Sequence, residues 1–239
     1  PKKHLLRVMA SPDDKGRLTV KFMHRGSYSA DRDSAWIRQF PKQEPVWSSC
    51  RFTFDPDARE YDWLVVYHDL PPTRGEAGEP AIEDLACSRD NTMHVTYEPS
   101  SITTYGHAYL QQYKHLLTSQ EPNCVRHPGM IHSQPGFPWF YGRSTGGGQH
   151  AGFDELAAMP VPRKEKLFST VCSTKKQKHT AHRLRHAFTE RLKKEFSELE
   201  TFGLGVRPIE DKEEALTDYK YHFAMENHFA PASLDGKVG

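Results

Sequence analysis

Residues Trp63 to Tyr67, W-L-V-V-Y, form a continuous apolar run, and Asp69, Leu70, Pro71 and Pro72 close it downstream. An unbroken apolar run of this length, bounded by chain breakers, reads as a strand buried inside a sheet. Other strand candidates flank it. "LLRVMA" (5–10) and "LTVKFMH" (18–24) come before, and "TMHVTYEPSS" (92–101) comes after, stopped by Pro99. A helical stretch follows, with Tyr109, Leu110, Tyr113 and Leu117 on one side, and then "LLTSQE" turns back inward. Strands interleaved with helices predict an α/β fold with a mostly parallel sheet.

Between about 142 and 163 the composition shifts. "GRSTGGGQHAG" is Gly-rich and "MPVPRKEK" is a Pro-punctuated connector, so the expected domain junction falls here, giving domains 1–160 and 161–239. The Gly run lacks the strand–loop–helix context and the GKS or GKT ending of a phosphate loop, and reads as a surface loop. The second half restarts with a strand, "LFSTVC" (167–172), a loop, "STKKQKHTAH" (173–182), and a helix, "RLRHAFTERLKKEFSEL". Leu184, Phe188, Leu192, Phe196 and Leu199 recur at helical spacing and predict one apolar stripe. After "FGLGVRP" and an acidic stretch comes a last strand-like segment, "YHFAME". No internal repeat is present.

The chain of 239 residues is 36% hydrophobic and 11% aromatic, enough to bury a sizeable core, and its formal charge of +1 excludes a general nucleic-acid binder. Cys50, Cys87, Cys124 and Cys172 lie far apart without a CxxC pair, which favours reduced thiols. No apolar run approaches the ~20 residues that cross a bilayer, so no membrane segment is expected within the chain. Residue 1 is Pro rather than Met, so the sequence is expected to be a trimmed segment.

Three groups of residues offer chemistry. The first is cationic: Arg163 to Lys194 holds eleven Lys or Arg against two Glu. Lys175, Lys176 and Lys178 cluster between the strand and the helix, at the carboxyl end of the strand, where open α/β sheets bind ligands. Free N–H groups and the helix dipole favour a phosphate at such a place, and Arg185 is suited to a bidentate contact with a diphosphate. A solvated basic face fits the same residues. The second is Glu98, directly after a buried strand and before Pro99, Ser100 and Ser101. It reads as a general base facing a cleft, or equally as a carboxylate that initiates the following helix. The third is Glu226 and Asn227 at the end of the last strand, with Lys237 after a short loop. Asn hydrogen-bonds sugars and Lys neutralises phosphate, although asparagines end many strands. Of the fourteen histidines, His179, His182 and His186 have helical spacing but no HExxH pattern or partner ligand, so no metal site is expected. A Ser/His/Asp hydrolase is not supported, because G-x-S-x-G is absent.

Taken in order, "DWLVVYHDLP", "HVTYEPSSITTYGHAYLQQYKHLLTSQE", "SQPGFPWFYG", "LFSTVCSTKKQKHTAHRLRHAFTERL" and "FGLGVRPIEDKEEALTDYKYHFAMENH" resemble the glycosyltransferase family 10 fucosyltransferases, the bacterial members most of all. The likeness runs from about Trp47 to Asn227 and is most specific over 92–121 and 167–228. It implies a GT-B arrangement of two Rossmann-like domains, the first carrying the acceptor side and the base, the second holding GDP-fucose. It further implies inverting transfer of fucose to a glycan hydroxyl, in α-1,3 or α-1,4 linkage, without an essential metal or other cofactor. The implied partners are a sugar nucleotide and an oligosaccharide acceptor, not nucleic acid, with at most a peripheral association with membrane. The implied location is cytoplasmic or at the inner membrane for a bacterial chain, and the Golgi lumen for a eukaryotic one anchored upstream.

Carried over by residue, the likeness assigns Glu98 in "TYEPSS" as the general base and Arg185 in "RHAFTERL" as the arginine that meets the donor diphosphate. Ser173 matches a small polar residue of the nucleotide loop, with Lys176 in the same loop. Glu226 and Asn227 match the "EN" pair beside the donor, and Lys237 matches the lysine of a "TEK" triplet. Here the chain departs, reading Asp235-Gly236-Lys237, without the glutamate expected to hold the donor ribose. Residues 164–239 also number about seventy-six against the ~100–150 of a Rossmann-like domain, so the second domain is expected to be incomplete at its C-terminal side. Two functions are therefore expected in competition: an inverting fucosyltransferase, or an impaired relative that binds a nucleotide or glycan weakly at most.

Overall fold

The W-L-V-V-Y run sits in the interior of a sheet. The computed structural model describes residues 16–24, 35–67, 84–96, 98–100, 103–133, 141–143, 146–175 and 181–225. The chain divides into two compact units, Pro1–Phe137 and Pro138–Gly239. In the first, seven strands are described: β1 (Leu18–His24), β2 (Val46–Trp47), β3 (Cys50–Thr53), β4 (Trp63–Tyr67), β5 (Thr92–Val95), β6 (His115–Thr118) and β7 (Met130–His132). Their order is β2-β3-β1-β4-β5-β6-β7. Every neighbouring pair is parallel except β2 with β3.

The strand read from W-L-V-V-Y is β4, held between β1 and β5 with Phe22 opposite Val65 and Leu64 opposite Thr92. Both faces are covered, which is why the run does not alternate. On one face Leu64 and Val66 pack with Tyr109, Leu110, Tyr113, Leu116 and Val125. Burial of each such aliphatic side chain contributes about 1.5–3 kcal/mol. On the other face Tyr67 meets Trp36 and Phe22, with ring centroids 4.9 and 5.7 Å away. The strand order reverses between β1 and β4, the topological switch of an open α/β sheet. Residues 25–34 and 68–83, which follow those two strands in the chain, lie outside the described residues, as does the strand expected at 5–10.

The expected helix around 105–117 is reduced to a single turn, α1 (His107–Leu110). Tyr109, Leu110 and Tyr113 are buried as expected, but Leu117 belongs to β6. Pairing of His115–Leu117 with Met93–Val95 on one side and of Leu116–Thr118 with β7 on the other draws these residues into the sheet.

In the second unit, β8 (Lys166–Val171) lies between β10 (Tyr219–Phe223) and β9 (Leu199–Phe202), all parallel. Two helices are described there, α2 (Phe153–Ala158) and α3 (His182–Glu195), the latter carrying the chain from β8 to β9. The strand–loop–helix reading of this half is therefore correct, but the single apolar stripe is not. Thr189 and Leu192 are buried in α3, whereas Leu184 and Phe188 are 63% and 48% exposed. Each i+4 step overshoots a full helical turn by about 40°, so a run of such steps winds off the buried face. Phe196 and Leu199 lie past the helix end: Phe196 stacks near Phe168 at 4.9 Å, and Leu199 opens β9. The start of the Gly-rich stretch belongs to this unit. Tyr141 Oη lies 2.8 Å from Thr217 Oγ1, and Gly142 N donates to Asp211 Oδ1 at 3.1 Å.

Candidate functional site

In the first unit the polar groups gather where β5 and β6 end. His94 on β5 is fully buried among the rings of Tyr105, Tyr109 and Tyr113, at 4.9, 5.5 and 5.1 Å, which fixes the strand firmly. The next polar position, Thr96, meets Thr118 across the strands with hydroxyl oxygens 2.6 Å apart. The chain then bends at Glu98, Pro99 and Ser100. Gln120, directly after β6, ties this bend down. Its backbone N donates to Thr118 Oγ1 at 3.0 Å, and its side-chain Nε2 donates to the carbonyls of Glu98 and Thr103 at 2.7 and 2.9 Å. Beside it, Ser100 Oγ donates to the buried Glu121 carboxylate at 2.6 Å.

Glu98 is half-buried, at the carboxyl end of a parallel sheet, and burial pushes its carboxyl above its ordinary value. A carboxylate in that state is a better proton acceptor than one in water, which is what a general base needs. It does not cap α1, whose N-cap is Gly106. Sequence reading missed Gln120, Glu121, Thr96 and Thr118. The available signal was the polar run Thr118-Ser119-Gln120-Glu121 placed directly after an apolar strand.

In the second unit Ser173 and Arg185 come to the same end of β8. Arg185, in the first turns of α3, donates from Nη2 to the Val171 carbonyl at 2.9 Å. That bond seats the helix on the last residue of the strand, two positions before Ser173. The loop after β9 lies against the same segment: Cys172 N donates to Phe202 O and Thr174 N to Leu204 O, at 2.8 and 3.0 Å. Gly203 makes this approach feasible. Its φ is +124°, and a Cβ would stand 3.1 Å from both the Cys172 carbonyl carbon and the Ser173 nitrogen. β10 runs parallel to β8, so Ala224 and Met225 leave it at the end that carries Ser173. Lys176, Glu226, Asn227 and Lys237 lie outside the described residues.

The basic stretch is partly neutralised where it is described. Arg163 pairs with Glu165 at 3.2 Å, Lys166 with Glu200 at 3.0 Å and Lys193 with Glu190 at 2.9 Å. Lys164 donates to the Leu216 carbonyl. At the start of the Gly-rich stretch, the N–H groups of Gly142 and Arg143 both donate to the buried Asp211 carboxylate. Among the described residues no three His, Cys, Asp or Glu side chains are grouped as a metal site. A cavity of about 600 Å³ opens at the opposite end of the three-stranded sheet, over Ala158, Met159 and Pro160. It holds none of the expected site residues. Of its four carboxylates, Glu155, Glu213, Glu214 and Asp218, two are engaged in capping: Glu155 accepts from Gly152 N, and Glu214 from Glu210 N and Asp211 N.

No helix among the described residues is long and apolar enough to cross a membrane. Comparison with family models, with curated proteins and with solved structures returns no match to this chain. The α/β fold thus stands on the sheets themselves, and a functional reading stands on the two strand ends and on the resemblance of the quoted segments.

Proposed function

We propose that the chain is a GT-B-type inverting fucosyltransferase that moves fucose from GDP-fucose to a glycan hydroxyl. The observation that carries this reading is Glu98, a half-buried carboxylate with a raised pKa at the carboxyl end of a parallel sheet. In the reaction the acceptor oxygen bonds to the anomeric carbon of fucose as the bond from that carbon to the β-phosphate oxygen breaks. The electron pair leaves on the phosphate, and the acceptor proton passes to Glu98. Attack opposite the leaving group inverts the anomeric centre.

The transition state carries positive charge on the sugar and growing negative charge on the diphosphate. Arg185 and the lysines after β8 supply cations for that leaving charge, so the chemistry asks for no metal. Ser173, next to the strand end, is suited to a hydrogen bond with the nucleotide. Glu226, Asn227 and Lys237 are assigned to the donor by the resemblance. Removing the base by Glu98→Gln is expected to slow transfer by about 10²–10⁴-fold.

A second reading is favoured by Asp235-Gly236-Lys237, where the resemblance calls for a glutamate on the donor ribose. In that reading the chain binds a nucleotide or glycan weakly and does not transfer. Calorimetry with GDP separates the two. Micromolar binding supports the transferase, and no heat together with no thermal shift supports the impaired relative.

A further inference from the structure

Gln120 is 1% exposed, at the end of β6, so its amide must find its partners inside the fold. Both hydrogens of its amide are used: one goes to the Glu98 carbonyl at 2.7 Å, the other to the Thr103 carbonyl at 2.9 Å. Those two acceptors fix the orientation of the amide, since turning it over would set Oε1 against two carbonyl oxygens. Oε1 is then left buried without a hydrogen-bond partner. That orphaned buried acceptor offsets part of what the two donated bonds contribute to stability. What the side chain does achieve is geometric, because one rigid group spans both ends of the bend that carries Glu98.

The bend is anchored in series. Thr96 meets Thr118, Thr118 accepts from Gln120 N, and Gln120 holds Glu98 and Thr103. The first and last of these links join the end of β5 to the end of β6, the two strands whose register sets Val95 opposite Leu117, and the middle one braces the end of β6. Ser100 and Glu121 add a second tie between the same segments.

We propose that Gln120 is the positioning residue of Glu98, the group that sets the place and the solvation of this carboxylate. The proposal rests on the reading of Glu98 as the general base. It is tested on the full chain with Gln120→Met, which keeps volume and removes the two donors. The Glu98 carboxyl is followed by carbon NMR, assigned through Glu98→Gln, and transfer from GDP-fucose is followed across pH. In the Met variant the bend loosens and Glu98 takes up water, so its titration moves down toward the ordinary glutamate value. The acid limb of the rate profile moves the same way. Turnover falls by about 10²-fold, the loss that accompanies a displacement of roughly 1 Å, while the donor KM is unchanged.

A folded Met variant in which Glu98 titrates as in the wild type, with turnover intact, overturns the proposal. Should the Met variant not fold, Gln120→Asn replaces it, because an amide one methylene shorter cannot span both carbonyls. The same shifts are expected, and a wild-type titration there overturns the proposal. Loss of the fold in both variants assigns Gln120 to structure alone and also overturns it. If the wild-type chain transfers nothing, the fucosyl reading fails, and the NMR titration still decides whether Gln120 controls Glu98.

Discussion

Glu98 is a side chain whose charge and surroundings pull in opposite directions. Burial raises its pKa in the folded protein above the unfolded value, so the ionised form is the costly one. Its contribution to stability is therefore intact below the unfolded pKa and is lost as pH rises through the folded one. Glu98→Gln, which is never charged, is expected to raise the melting temperature at neutral pH and to leave it unchanged in acid. Thermal denaturation across pH checks this, and a variant destabilised at neutral pH would mean that the carboxylate is held by compensating partners. The position of Glu98 just past the end of β5 was legible in the sequence, because a buried apolar strand there is stopped by Pro99. Gln120 was not, since its partner Glu98 is 22 residues away and only strand pairing brings the two together. Nothing local distinguishes it from the neighbouring Gln111 and Gln112, which are not fully buried.

Among the elements, β1, β4, β5, β8 and β10 were read as strands, while β2, β3, β7 and β9 were missed. The last four are two to four residues long, too short for periodicity to register, and exist because a neighbouring strand supplies the hydrogen bonds. Helix α3 was found but turned wrongly about its axis, because spacing identifies a helix without fixing which residues face the sheet. The observed rotation gives a clean contrast. Leu192→Ala is expected to cost about 2–5 kcal/mol, and Leu184→Ala to fall within about 0.5 kcal/mol of wild type. Denaturant titration of the two variants measures both, and equal losses would contradict the rotation. Gly203→Ala is expected to cost about 1–3 kcal/mol, because the left-handed backbone and the crowding against Cys172 and Ser173 both oppose a side chain. Its effect should extend to GDP affinity, since the segment pushed aside carries Ser173.

At the scale of the whole molecule, the formal charge is near neutral, and Arg163, Lys166 and Lys193 are each paired with a carboxylate. In the proposed function the basic residues act as a local group at one strand end. The α/β class was readable because parallel strands buried on both faces leave continuous apolar runs in the chain. The division into units was less so: composition marks the glycines and prolines after residue 142, whereas the contacts that tie Tyr141 and Gly142 to Thr217 and Asp211 span about seventy positions and leave no local mark. The most direct test is to incubate the chain with GDP-fucose and a panel of glycan acceptors and to identify the product by NMR. The expected result is an α-fucoside of configuration opposite to the donor's, formed with release of GDP, and formed about 10²–10⁴ times more slowly by a folded Glu98→Gln variant. Product of retained configuration, or undiminished transfer by that variant, would contradict Glu98 as the base.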